Sequence, residues 1–208
     1  MNKKYNKAVF EFFTEDEDRF LMMGKIVEHQ SRVKTELIKF FWEKLQQKLE
    51  EKFSDKEGDW IVRFSDDWDF PNNKIVIYKK SWCFYKHNFP LVCVAFESLY
   101  QNNHPFLGIL SDRIGYGNTS YYDIDKINIK LRATPAINLL GIDDDDFHWS
   151  VWQHLNFHLK DFENLANLLP ENAEKTINFL IADVERYTIA LEDFMIDNDN
   201  LKAYKLQK

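Results

Sequence analysis

His154-x-x-x-His158 sets two imidazoles at the spacing where a helix presents both on one face and can hold a transition metal. His148 and Asp161 lie close by in the sequence. The His-Glu-x-x-His signature is absent, however, and no motif supplies a third ligand. The plainer reading of His154 and His158 is a pair of surface or half-buried helix residues. The acidic run Asp143-Asp144-Asp145-Asp146 can serve as a cation site or as a docking surface for a basic partner. Its simpler role is to place negative charge, and with Asp146 a cap, at a helix N-terminus. A calcium loop needs alternating oxygen ligands, a central glycine and a terminal glutamate, and this run has no such pattern. Trp68 sits in the acidic turn Ser65–Pro71 and Trp82 beside Phe84 and Tyr85. Either tryptophan, if exposed, is an anchor for a protein partner. Lys74, Lys79, Lys80 and Lys86 surround the second group. Rings mixed with positive charge can stack bases and hold phosphates. Nucleophile elbows, phosphate-binding glycine loops and the dinucleotide fingerprint are all missing; Gly115-x-Gly117 lacks the third glycine.

The whole chain sets bounds on these candidates. Its 208 residues carry 27 basic and 34 acidic side chains, a net charge of −7. That balance leans away from general nucleic-acid binding, which works through counterion release at basic surfaces. It suits a soluble protein or one steered toward a basic partner. Cys83 and Cys93 are too few for a disulfide framework or a zinc cluster. The basic start Met1–Lys4 is not followed by the apolar core of a signal peptide. The longest clean apolar run, Leu91–Phe96, is far too short to span a bilayer. The expectation is a cytoplasmic protein with no membrane association.

The elements that must carry these residues read as α+β. Thr14-x-x-Glu17 has the form of a capping box. From there, apolar residues recur at helical period from Phe20 through Val27, Leu37, Phe41 and Leu45 to Phe53. This predicts a long helical segment over about residues 15–53, one helix or two in series, with Gly24 as a candidate joint. Strands are predicted at 60–64, 74–80, 91–97 and 106–110, and their short connections favour an antiparallel meander of about four strands. Residues 111–146 leave strand and helix both open. Helical spacing through Trp152, Leu155, Leu159, Phe162 and Leu165 predicts a helix over 148–169, closed by Pro170. Asn172 can cap a last helix striped by Ile177, Leu180, Ile181, Val184, Thr188 and Leu191, with Phe194 or Met195 continuing it. A polar tail, 197–208, follows. No linker divides the chain, so residues 1–208 are expected to form a single domain, C-terminal helices packed on the sheet. The long N-terminal helix and the last helix can pair with each other or across a homodimer.

Phe40-Phe41-Trp42-Glu43-Lys44-Leu45, Tyr78-Lys79-Lys80-Ser81-Trp82, Val94-Ala95-Phe96-Glu97 and Phe106-Leu107-Gly108-Ile109 together resemble a known pattern. It is the helix-plus-meander region of bacterial and phage proteins grouped with PD-(D/E)XK nuclease-like families. The resemblance covers roughly residues 37–110 and rests on aromatic positions. It implies a sheet flanked by helices, an Asp on one strand and a (D/E)-x-Lys on the next, holding Mg²⁺. This sequence departs from the motif: its (Asp/Glu)-x-Lys is Glu50-x-Lys52, inside the long helix, and Glu97 is followed by Ser98 and Leu99. Asp69, Glu97 and a migrated Lys79 are the residues that a nuclease reading would need for metal-assisted phosphodiester hydrolysis.

The leading expectation is therefore a non-enzymatic protein–protein interaction module with no cofactor. A regulator, inhibitor or defence-linked accessory from a bacterium or phage fits it. Trp68, Trp82, Asp143, Asp144 and Asp145 are its candidate contact residues. The alternatives are the divergent Mg²⁺ nuclease and a nucleic-acid-binding module built on Lys74, Lys79, Lys80 and Lys86.

Overall fold

The structure, a computed structural model, describes residues 3–54, 59–64, 73–83, 90–100, 104–111, 123–141, 149–160 and 162–197. Two helices in series open the chain, α1 (Lys3–Thr14) and α2 (Glu17–Ser54). The joint lies at Glu15 and Asp16, not at Gly24, which sits inside α2. Thr14 does not cap the long helix. It ends α1, its hydroxyl donating to the Phe10 carbonyl at 2.8 Å. Asp16 takes the capping role, its carboxylate accepting from the Arg19 N–H at 2.8 Å.

Five strands follow in the order β1 (Trp60–Phe64), β2 (Lys74–Lys79), β3 (Val92–Glu97), β4 (Phe106–Ser111) and β5 (Trp149–His154). Every neighbour is antiparallel, so sequence order equals spatial order across the sheet. The fold is the expected α+β arrangement with one more strand than the sequence suggests. Between β4 and β5 lie α3 (Ile124–Arg132) and the short α4 (Pro135–Asn138). The Asp123 side chain caps α3 by accepting from the Lys126 N–H. This settles Ile124–Arg132 as helix.

The fifth strand overturns the predicted helix over 148–169. Leu155, Phe157 and Leu159 are buried while Asn156, His158 and Lys160 are exposed, a period of two that continues beyond β5. The positions that suggested a helix belong to an extended chain and then to the four-residue α5 (Phe162–Leu165). Pro170 does not close a helix. It starts α6 (Pro170–Asp197), where its fixed φ suits the first turn. Asn172 lies inside that turn, its amide donating to the Ala166 carbonyl at 2.9 Å.

One face of the sheet carries the helices. Ile75, Ile77, Val94, Phe96, Leu107 and Ile109, fully buried, share it by register. From α2, Ile38, Phe41, Trp42, Leu45, Leu49 and Phe53 enter the core. Trp42 packs on Phe96 with ring centroids 6.0 Å apart, and its indole N–H donates to the Leu99 carbonyl at 3.1 Å. The Asn73 side chain accepts from the Leu99 N–H at 3.0 Å. Both bonds hold Leu99, the residue after Ser98, whose φ of +63° turns the chain out of β3. α6 buries Ala173, Ile177, Leu180, Val184, Tyr187, Leu191 and Phe194. It packs beside the second half of α2, with Lys44–Glu174 at 3.3 Å and Lys52–Glu185 at 3.2 Å along the seam. The long helix and the last helix thus pair within the chain.

Candidate interaction surface

Of the residues a nuclease reading needs, the two that are described stand apart. Lys79 and Glu97 project from opposite faces of the sheet: Glu97 pairs with Lys74, five residues from Lys79 on β2. Lys79 forms an ion pair with Glu192 of α6 and lies over the Trp60 ring, 5.1 Å from its centroid. Glu97 is largely buried and has the Lys74 ammonium 3.2 Å from its Oε2. Each candidate for a cation-handling pair is therefore occupied by a different counter-charge. Lys74, Lys79 and Lys80 do not form one basic patch either, because two of them are neutralised on opposite faces and Lys80 sits exposed in a 3₁₀ turn. Trp82 is not a surface anchor. It is 5% exposed, with its ring 5.4 Å from that of Trp60, so the core takes it. Trp68, Asp69, Lys86, Asp143, Asp144 and Asp145, together with His148 and Asp161, lie outside the described residues.

His154 and His158 do come together, but not on a helix. His154 ends β5 and His158 lies in the extended segment after it, and a third histidine joins them. The His104 ring stacks on His154 at 3.8 Å with planes 3° apart, and lies 3.6 Å from His158 at 32°. Stacked rings point their in-plane lone pairs side by side, whereas a shared metal needs them to converge. Among the described residues no group of three or more His, Cys, Asp or Glu is placed to hold a metal ion. The His104 Nε2 contacts the Leu155 carbonyl at 2.8 Å, so this nitrogen carries the proton and donates. Burial, with smaller contributions from His154 and His158, holds the His104 pKa below its ordinary value, against the opposing effect of that hydrogen bond. Sequence spacing found two members of this stack. His104, fifty residues from His154, has no local signal.

The largest unexplained feature is the N-terminal arm, formed by α1 and the first half of α2. The core residues of α2 begin at Ile38, about 30 Å along the helix from Glu17. Before that point α2 shows solvent an apolar surface: Phe20, Leu21, Met22, Ile26, Val27 and Val33 are all more than half exposed. On α1, Val9, Phe10 and Phe12 are 38%, 67% and 50% exposed. The described apolar residues of the rest of the fold contribute only scattered exposed positions, such as Ile129, Leu139 and Phe179. Scattered apolar residues are ordinary on a surface, but so many on one stretch of helix make it the candidate contact region. The period-3.6 pattern of 20–53 was legible in the sequence, but not that its first half leaves the core.

No helix among the described residues is long and apolar enough to cross a membrane. Comparison of the chain with protein-family models, with curated proteins and with solved structures finds no match.

Proposed function

We propose that this protein acts by contact, as a non-enzymatic protein–protein interaction module, and that the N-terminal arm is the surface it uses. The carrying observation is the run of half-exposed apolar side chains from Val9 to Val33 on helices whose described residues include no fully buried one before Ile38. A helix packed on nothing is marginal in water. Covering its apolar face stabilises both the helix and the complex. A regulator or inhibitor works in this way, by occupying a partner's surface. Dispersal of Lys79 and Glu97 to separate ion pairs supports the same reading.

The test uses the full chain carrying a photo-crosslinking residue at Ile26 or Val33 on the arm, or at Ile129 or Phe179 on the body. All four positions are more than half exposed. The expected result is a covalent polypeptide adduct from the arm positions at several times the yield from the body positions. Equal yields from arm and body, or no polypeptide adduct from the arm, would overturn the assignment.

A further inference from the structure

We infer that residues 155–160 are a strap clamping the root of the arm to the body, and that protonation at the stack of His104, His154 and His158 loosens it. The strap acts where α2 leaves the body, whatever the arm contacts beyond that point. Its inner face is apolar. Leu155, Phe157 and Leu159 are buried, and the Phe157 ring lies 6.1 Å from that of Phe41 and 6.3 Å from that of Trp42, both on α2. At the far end, the Lys160 carbonyl accepts from the Lys34 ammonium at 2.9 Å. The strap thus follows α2 from the turn of Trp42 back to Lys34, about 12 Å of helix. That is the stretch where the buried face of α2 gives way to the arm.

Its outer face carries the stack. β5 ends at His154, and the chain beyond it is tied to the two residues before β4. The Leu155 N–H donates to the Pro105 carbonyl at 2.9 Å, and the Leu155 carbonyl accepts from His104. The His104 ring lies against both His154 and His158, whose own side chains are exposed. Among the described residues these two bonds and the stack are the polar ties between strap and sheet. The carbonyl that bonds His104 and the two rings that act on it electrostatically all belong to 154–158. Lifting the strap therefore removes its partners together.

Charge gives the device its sign. Among the described residues no carboxylate pairs with any of the three rings. Glu97 of β3 shares their cross-strand row, but Phe106 stands between it and His154, and Lys74 is its partner. The remaining charges at the strap, Lys160 and the Lys34 that reaches it, are cations. A proton taken up by the stack meets like charge and no described counter-charge. Burial holds the His104 pKa below its ordinary value while the strap is closed. Opening returns the ring to water, so acid favours the open form. The buried Leu155, Phe157 and Leu159 hold the strap shut at neutral pH, and the stack sets how that closure responds to acid. Closure is complete above about pH 6.5 and weakens as pH falls through that value. A histidine freed to its ordinary pKa raises the opening constant by at most about tenfold between about pH 7.5 and about pH 5.5. With the strap open, α2 loses Phe157 and the Lys160 carbonyl, and fraying that begins in the arm advances toward Phe41.

Native-state amide exchange of the full chain is the test, read by NMR at about pH 7.5 and about pH 5.5 and corrected for the intrinsic chemical rate. The Leu155 amide and those of 34–40 are expected to exchange through one local opening that low urea, about 0.5 M, leaves unchanged. Amides of 45–53 are expected to respond to that urea, because they need the whole body to open. The local opening is expected to become up to about tenfold more frequent at the lower pH. His104→Gln, which keeps a donor for the Leu155 carbonyl, is expected to abolish the rise, and His158→Gln, at an exposed position, to reduce it. A Leu155 amide that opens only together with 45–53 overturns the strap. A rise that is absent from the parent, or undiminished in either variant, overturns its control by the stack. Opening at Leu155 that leaves 34–40 unaffected overturns the clamp on the arm.

Discussion

At the residue scale, the His104 stack gives the fold a dependence on acid. Burial depresses the His104 pKa, so over a window below the ordinary histidine value the unfolded chain binds the proton and the folded chain does not. Stability from this group is therefore complete above about pH 6.5 and falls as pH drops through that value, levelling off below the folded pKa. His154 and His158 reinforce the trend, since a charge on either ring opposes one on His104. His104→Gln retains a donor for the Leu155 carbonyl and removes the titration. Tm measured at about pH 5 and pH 7.5 is expected to differ less in that variant than in the parent. An unchanged difference would assign the acid sensitivity to other groups. Gly108 illustrates a second local constraint. β5 bulges between its pairings with Ile109 and Leu110, and Trp149 and Trp152 both crowd Gly108. A Cβ there would collide with the Val151 carbonyl oxygen and lie 2.7 Å from the Trp152 Cβ. Gly108→Ala is expected to destabilise the fold by about 1–3 kcal/mol in chemical denaturation, since backbone cannot yield as a flexible side chain does.

At the element scale, the helices and strands whose apolar period is local were readable, and the ones set by tertiary contact were not. Lys74–Lys79 and Val92–Glu97 matched their predicted strands because β-branched and aromatic residues fill them. The segment from Trp149 to Leu165 supports two periods at once. Trp152, Leu155 and Leu159 suit a helix, while Leu155, Phe157 and Leu159 suit an extended chain; pairing with β4 decided the issue. The joint before α2 failed for a smaller reason, since Thr14 and Asp16 both offer a capping oxygen and it is Asp16 that accepts from the N–H of the third helix residue, Arg19. The candidate surface was half legible. Apolar periodicity marks a face that will be covered, but says nothing about whether the cover comes from the same chain. A test follows from the cap. Asp16→Ala removes about 1 kcal/mol from the start of α2, and this part of the helix shares no core with the sheet. Its helical circular dichroism is expected to fall while the Tm of the body stays within about 1 °C of the parent, a shift small against the roughly 2–4 °C per kcal/mol expected for a domain of this size. Trp42→Phe makes the contrasting change, deleting the donor to the Leu99 carbonyl at the heart of the core. It is expected to cost about 1–3 kcal/mol of global stability, read by the same denaturation.

At the scale of the whole molecule, α2 is one helix serving two masters of stability. From Ile38 onward it is fixed by Trp42, Leu45, Leu49 and Phe53 and by the ion pairs from Lys44 and Lys52 to α6. Before that point its tertiary support is sparse: the Lys34 ammonium donates to the Lys160 carbonyl at 2.9 Å and Leu37 is partly buried against the core, while nearer the joint local bonds such as the Asp16 cap and the Arg19 pairs with Glu15 and Asp16 hold it. Gly24, with open space around it, weakens this half further by about 1 kcal/mol relative to alanine. Amide exchange should therefore divide the helix. Amides of 41–53 open only with the body and carry its full stability, whereas those of 20–33 open by fraying. If association covers the arm, protection of 20–33 rises with protein concentration while protection of 41–53 does not, because association stabilises only the segment it buries. Exchange followed by mass spectrometry at two concentrations a hundredfold apart reads both halves in one experiment. About 1.4 kcal/mol of added protection per tenfold rise in free partner is the largest gain that simple binding allows. Concentration-independent exchange in 20–33 would mean that the arm's apolar side chains stay in water when the chain is alone, so that their cover has to come from a different polypeptide.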